Sequence, residues 1–111
     1  MNLTALNPHF LKISRSQDNT GIYWDRVPTL AEADGIIFSC PKCKDKLNAA
    51  GIHMDHSLTA WKPGTDPGIP GRARWHMTGT GYTDLTLTPS IMIVGGCSWH
   101  GYVTNGMIVN C

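Results

Sequence analysis

The chain has 111 residues, a formal net charge of +1 and 41% hydrophobic residues, which predicts one small globular domain. Its nine basic residues are spread thinly against eight acidic ones without forming a basic stripe, so nucleic acid is not an expected partner. No apolar run approaches the length of a membrane helix, and residues 1–6 lack the charged-then-apolar order of a signal peptide. We therefore expect neither a membrane partner nor secretion through a signal peptide.

The composition predicts an all-β domain with little helix. Gly (12) and Pro (7) are frequent, and β-branched and aromatic residues dominate the short apolar runs. We predict an N-terminal arm with a short strand (1–34), followed by a β domain (35–111), within one globular unit. A short helix is predicted at 28–34, and the Pro/Gly-rich loop 62–71 is predicted to be a contact surface. The predicted strands are 21–24, 36–40, 56–61, 72–77, 85–87, 91–94, 101–104 and 107–109, the last two joined by an Asn-Gly hairpin turn.

Two short clusters predict a metal site. Cys40 and Cys43 form a C-x2-C pair, and Cys97 and His100 form a C-x2-H pair. Thiolate and imidazole are the usual ligands of structural zinc, and each pair supplies two of them from one turn. We therefore predict that Cys40, Cys43, Cys97 and His100 bind a structural Zn²⁺ in a small zinc-ribbon-like domain, with two metal knuckles and a C-terminal β-hairpin. In so small a domain, metal binding and folding are expected to be coupled.

Other interpretations of these clusters stay open from the sequence. Cys111 can replace His100 as the fourth ligand, and four cysteines can form two disulfides in a secreted protein. The segment 97–102 is similar to one half of a Rieske motif, so an iron–sulfur cluster is a further alternative. If His56 approached the metal, or if one zinc ligand were labile, an open coordination position would suit hydrolysis, with His56 and Asp55 as the catalytic residues or Asp84 as the base.

The order of several segments resembles a small phage and prophage domain family of unknown function, whose members often carry the label "putative ammonia monooxygenase". The matching segments are 38–43, 56, 61, 67–68, 71–72, 75, 79–81, 84–87, 89–91 and 95–106. The resemblance implies a phage-encoded, metal-binding β domain. It does not imply ammonia oxidation, because the chain lacks copper or di-iron ligands in the needed number.

From this resemblance we predict a zinc-stabilised phage accessory or virion-associated structural protein. Its loop 62–71 and its arm 1–34 would dock on capsid or tail proteins or on a second copy, in the virion or the host cytoplasm. No catalytic residue is assigned on this interpretation. The alternative function is a zinc-dependent hydrolase or host-interaction effector that uses His56 and Asp55, and an iron–sulfur protein is the third.

Overall fold

A computed structural model describes residues 1–18, 20–69, 73–93 and 97–111. These residues form one 3₁₀-helix, Leu3–Leu6, and eight β-strands. The strands are β1 (His9–Arg15), β2 (Ile22–Val27), β3 (Gly35–Ser39), β4 (Ser57–Trp61), β5 (His76–Thr78), β6 (Thr86–Met92), β7 (His100–Thr104) and β8 (Met107–Asn110). They build two four-stranded antiparallel sheets, sheet 1 with the order β2-β1-β3-β4 and sheet 2 with the order β5-β6-β7-β8. The prediction of an all-β fold with little helix is confirmed.

The two sheets pack against each other around one apolar core. Sheet 1 contributes Phe10, Ile36 and Phe38, and sheet 2 contributes Leu87 and Val103, each with at most 2% of its surface exposed. Side chains of successive strand residues point to opposite faces, so each sheet buries one row of apolar residues and presents the other row to its outer face. Burial of this apolar surface is the main force that holds the sheets together. Within the described residues, no helix is long and apolar enough to cross a bilayer.

The segment 1–34, predicted as an arm, forms part of this core. β1 lies between β2 and β3 in sheet 1, and Leu3 and Leu6 of the 3₁₀-helix are fully buried. At the other side of the molecule, the Ile108 N–H donates to the Met1 carbonyl at 2.9 Å, so the N-terminus covers the outer edge of β8. The boundary predicted at residue 34 therefore falls inside sheet 1.

The Pro/Gly-rich loop after β4 packs on the outer face of sheet 1 over its described part, residues 62–69. The Trp24 indole N–H donates to the Pro67 carbonyl at 3.1 Å. The Arg15 guanidinium pairs with the Asp66 carboxylate, also at 3.1 Å. This loop, predicted to contact other proteins, is thus held against its own sheet.

The segment 28–34 forms a turn, so the prediction of a short helix there is wrong. Thr29 does form the predicted cap, because its hydroxyl accepts from the Glu32 N–H at 3.4 Å and donates to the Glu32 carboxylate at 2.7 Å. The turn ends at once because β3 begins at Gly35. Trp61 covers Gly35 so closely that a Cβ there would overlap the indole ring.

β6 is one continuous strand, whereas the sequence predicted two strands separated by Pro89. The pairing between β6 and β7 shifts register between Leu87 and Ile91. Proline has no N–H to donate to a neighbouring strand, and it is tolerated where the ladder is interrupted in this way. The strand can therefore pass through Pro89. Val94, predicted as the end of the second strand, lies outside the described residues.

The predicted C-terminal hairpin is confirmed. β7 and β8 are joined by Asn105 and Gly106, whose φ angles are 50° and 73°. Positive φ at both central residues is typical of a type I′ turn, which matches the twist of the flanking strands. A Cβ at Gly106 would overlap the Thr83 carbonyl, so the turn packs too closely for any other residue.

The turn before β6 depends on the Asp84 carboxylate, which accepts hydrogen bonds from the Gly81 N–H (2.8 Å), the Thr80 N–H (3.0 Å) and the Thr80 hydroxyl (2.9 Å). These bonds, the Gly81 bond most, lower the pKa of Asp84. A carboxyl with a lowered folded-state pKa stabilises the fold above its unfolded pKa, and this contribution is lost as the pH falls through the folded pKa. We expect Asp84→Asn to lower the Tm at neutral pH but not in strong acid, as measured by thermal denaturation across the pH range.

The control for this prediction is Asp45→Asn, which removes an exposed carboxylate that forms a surface ion pair with Lys44 at 3.5 Å. Such pairs contribute little to stability, so this variant should follow the wild-type curve. A destabilisation by Asp84→Asn that is equal at neutral and acid pH would contradict the role given to the charge.

Candidate functional site

Three cysteines and one histidine converge at the ends of three strands. The ligand atoms of Cys40, Cys43, His56 and Cys97 all lie within 4.8 Å of one another. Cys40 follows β3, His56 precedes β4 and Cys97 precedes β7, so the two sheets bring residues that are distant in sequence together. The Cys40 N–H donates to the His56 carbonyl at 2.8 Å, which extends the pairing of β3 with β4 and fixes His56 beside the first cysteine.

The spacing of these atoms fits a tetrahedral metal. The Cys40 and Cys97 sulfurs are 3.7 Å apart, and the Cys97 sulfur is 3.4 Å from His56 Nε2. Bond lengths of about 2.3 Å to sulfur and about 2.0 Å to nitrogen, at tetrahedral angles, give separations of about 3.8 Å and about 3.5 Å. Cys40 and Cys43 are buried, while Cys97 is half-buried. Two of the ligand separations thus match those of a tetrahedral site, and the cluster could hold a metal ion.

The cysteines of the cluster differ in proton affinity. Burial opposes ionisation of Cys97, but hydrogen bonds from the Trp99 N–H, His56 and Cys40 outweigh it and lower the pKa of Cys97 to about 6. Burial, together with contacts to Cys97 and Cys40, raises the pKa of Cys43 to about 11. Cys97 therefore ionises near neutral pH, and the thiolate is the form that binds metal.

The cluster contains the three predicted cysteine ligands, but its fourth member is His56 and not the predicted His100. His100 is the first residue of β7, so the alternation of that strand decides where its side chain points. Its Nε2 lies 3.0 Å from Ser90 Oγ. Cys111, the alternative fourth ligand, is exposed, and all four cysteines are free rather than joined in disulfides.

His56 is also a catalytic residue in the alternative prediction of a zinc-dependent hydrolase. The structure directs its Nε2 at the Cys97 sulfur, which is the position of a metal ligand. Asp55, weighed as its partner in hydrolysis, is exposed to solvent on the loop before β4. The structure thus places His56 with the cysteines.

A second polar pair, Ser90 of β6 and His100 of β7, lies on adjoining strands of sheet 2. Both residues are half-buried. Ser90 lies within the part of β6 where the pairing with β7 shifts register, between Leu87 and Ile91. Such irregularities change the direction of side chains and are frequent next to functional sites. At 3.0 Å, the Ser90 hydroxyl can donate its proton to His100 Nε2. A hydroxyl and an imidazole at hydrogen-bond distance are the residue types that form a nucleophile and its general base.

The short segment between the metal cluster and this pair is held at several points. Cys97 lies three residues before His100. The Lys42 ammonium donates to the Cys97 carbonyl at 2.5 Å. Trp99 is buried, with 4% exposed, and its indole N–H donates to Asn110 Oδ1 at 2.8 Å. The metal cluster therefore fixes the turn from which the strand with His100 begins.

The family of Bacterial ubiquitination-like system serine proteases (BubE) matches residues 12–111 of the chain. The chain belongs to this family. No curated protein and no solved structure matches the chain. The match covers both sheets except for the first strand residues of β1, and it includes every residue of the metal cluster and of the Ser90–His100 pair.

The family match corrects the sequence-based prediction of function. The resemblance to a phage family of unknown function is wrong, and so is the description of the chain as a bacteriophage accessory or virion structural protein, because the family is a bacterial serine protease family. The two surfaces predicted to dock on other subunits, the segment 1–34 and the described part of the loop after β4, contact the rest of the chain. That they also bind other proteins stays a prediction.

Sequence reasoning did not single out Ser90, and it assigned His100 to the metal. Ser90 stands within the segment 89–91 that carried the resemblance, but no nearby glycine-rich motif identifies it as a nucleophile. Only the pairing of β6 with β7 brings it to His100.

Proposed function

We propose that the protein is a serine peptidase of a bacterial ubiquitination-like system, with Ser90 as the nucleophile and His100 as the general base. The observation that carries the proposal is the 3.0 Å separation of Ser90 Oγ and His100 Nε2, in a chain whose family is described as a serine protease. Nε2 is also the nitrogen that serves as the base in the serine protease mechanism.

In this mechanism the Ser90 oxygen attacks the carbonyl carbon of a peptide bond while its proton passes to His100 Nε2. The tetrahedral intermediate collapses as the carbon–nitrogen bond breaks, and His100 donates the same proton to the leaving amine. Water then adds to the Ser90 acyl ester with His100 again as the base, which releases the acid product and restores the serine. The register shift in β6 contributes by directing Ser90 at His100.

We propose further that the metal of the cluster is a structural Zn²⁺. Three cysteine sulfurs and the His56 nitrogen make up a donor set used for structural zinc, and their separations fit its bond lengths. Bound zinc would cross-link β3, β4 and the turn before β7, because its ligands come from all three. A shell of four protein ligands would leave no coordination position for an activated water, so the ion would be structural. The chemistry then belongs to Ser90 and His100.

The proposal is tested by reaction with phenylmethylsulfonyl fluoride, a small reagent that sulfonylates activated serines with release of fluoride. Intact mass spectrometry should show one adduct, and peptide mapping should place it on Ser90. Ser14, whose hydroxyl bonds to Asp25 at 2.7 Å on sheet 1, is an internal control and should stay unmodified. Absence of an adduct on the folded, zinc-loaded protein, or an adduct at another serine, would overturn the assignment.

A further inference from the structure

A groove of about 620 Å³ opens between the two sheets next to Ser90. Residues 57–59 of β4 line one side, and residues 91–93 at the end of β6 line the other. Trp75 also lines the groove, and its indole N–H donates to the Ser90 carbonyl at 3.3 Å. Ser90 itself does not line the groove, and Trp75 connects the groove to the backbone of that residue. The volume of the groove lies within the range of about 300–1,000 Å³ that is usual for ligand sites.

The β6 side of the groove is a strand edge with unpaired backbone groups. β5 pairs with β6 only at residues 86–88, so the remainder of that edge has no strand beside it in the described part of the chain. The Ile93 N–H donates to the Trp99 carbonyl, on the β7 side. Because consecutive residues of an antiparallel strand direct their N–H and C=O groups to alternate edges, those of Met92 point into the groove. Ser90 follows the same alternation, since its carbonyl accepts from Trp75 on this edge.

The β4 side is a strand edge of the same kind. β4 is the last strand of sheet 1, and the His56 carbonyl is bonded on the β3 side. By the same alternation, the backbone groups of Ser57 and Thr59 point away from β3 and toward the groove. Trp61 fits this pattern, because its carbonyl accepts from the Trp75 N–H at 2.9 Å on the outer edge. Two strand edges whose outward backbone groups have no strand partner among the described residues thus line one groove.

We propose that the groove binds an extended segment of the substrate polypeptide as an added β-strand, which pairs with Met92 on β6 and with Ser57 and Thr59 on β4. Unpaired edge groups form a template for another strand, and only an extended segment offers N–H and C=O groups in a matching line. The inference rests on the proposed function, because the polypeptide bound here is the substrate of the proposed peptidase and the groove adjoins Ser90 through Ile91 and Trp75. The enzyme therefore selects unfolded segments and flexible tails over folded surfaces.

The test measures binding of fluorescein-labelled β-casein, an unfolded polypeptide, to the zinc-loaded Ser90→Ala protein by fluorescence anisotropy. Ser90→Ala prevents cleavage, so binding is measured alone. Adding Met92→Pro or Thr59→Pro removes one edge N–H and puts a ring in the path of the strand, and each is expected to weaken binding about tenfold or more. Arg26→Pro is the matched control, because it places the same ring on the outer edge of β2. The Ser16 N–H donates to the Gly21 carbonyl between β1 and β2, and alternation along β2 from that bond directs the Arg26 N–H away from β1.

Hydrogen–deuterium exchange of the Ser90→Ala protein gives a second measurement that needs no proline. Saturating β-casein should slow exchange at residues 57–59 and 91–93 and leave β2 unchanged. Absence of β-casein binding, equal binding by the Met92→Pro, Thr59→Pro and Arg26→Pro variants, or unchanged exchange at both edges would each overturn the inference. Reaction of the wild type with phenylmethylsulfonyl fluoride is measured in parallel, since it reports on Ser90 alone and separates failure of the groove from failure of the nucleophile.

Discussion

Replacing Ser90 by Ala is expected to lower peptide-bond hydrolysis by about 10⁶-fold, because it removes the atom that attacks the carbonyl and leaves only substrate binding and polarisation to act. The fold should survive. The Ser90 side chain makes one hydrogen bond, to His100, and loss of a single half-buried bond costs about 1 kcal/mol. The measurement is the rate of fluorescein-labelled β-casein cleavage by zinc-loaded protein, with circular dichroism to confirm the strand content.

His100→Ala is expected to be about as damaging as Ser90→Ala, since the serine hydroxyl is a weak nucleophile without a base at Nε2. The two residues act as a unit, so the double variant should be no slower than either single variant. Ser14→Ala, on the far sheet, is the matched control and should retain the wild-type rate. A multiplicative loss in the double variant, or substantial activity in Ser90→Ala, would show that the two side chains do not work together.

The strands were predictable because their local signals agree with the final fold. β7 and β8 alternate buried and exposed residues around an Asn-Gly turn, and this pattern needs no tertiary information. The continuous strand β6 was not predictable, because a proline within a short apolar run normally marks a break in a strand. What allows Pro89 in the strand is the interrupted pairing with β7, which depends on the neighbouring strand and not on the residues around Pro89. β1 was assigned to an arm for a related reason, since its place between β2 and β3 is a property of the sheet.

The candidate site divides in the same way. The C-x2-C pair at Cys40 and Cys43 was correctly predicted to enter the metal cluster, because two thiols on one turn are already close before the chain folds. The choice between His56 and His100 was not open to sequence reasoning. It depends on strand pairing, which places His56 opposite Cys40 and directs His100 along β7 to Ser90. The short C-x2-H spacing therefore favoured His100, which the structure does not place in the cluster with the three cysteines.

Removing the metal is expected to unfold the protein. Apparent zinc-binding free energies of small domains are about 10–16 kcal/mol, whereas the net stability of a domain is about 5–15 kcal/mol. Cys43→Ala should therefore cost about 5 kcal/mol or more, which is a fall in Tm of about 20 °C or more for a chain of this size. Cys111→Ala is the matched control, because Cys111 is exposed and lies outside the cluster. The measurements are thermal denaturation and zinc content of the two variants.

Titration with a zinc chelator then separates a structural ion from a catalytic one. If the ion only cross-links β3, β4 and the turn before β7, peptidase activity and reaction of Ser90 with phenylmethylsulfonyl fluoride should fall in proportion to the folded fraction, and both should return together when zinc is restored. Cys97 lies three residues before His100. The cluster therefore affects the proposed base only by holding the backbone that leads to it. Activity lost from protein that is still folded would mean that the metal takes part in the reaction, and the closed ligand shell of Cys40, Cys43, His56 and Cys97 would then be wrong.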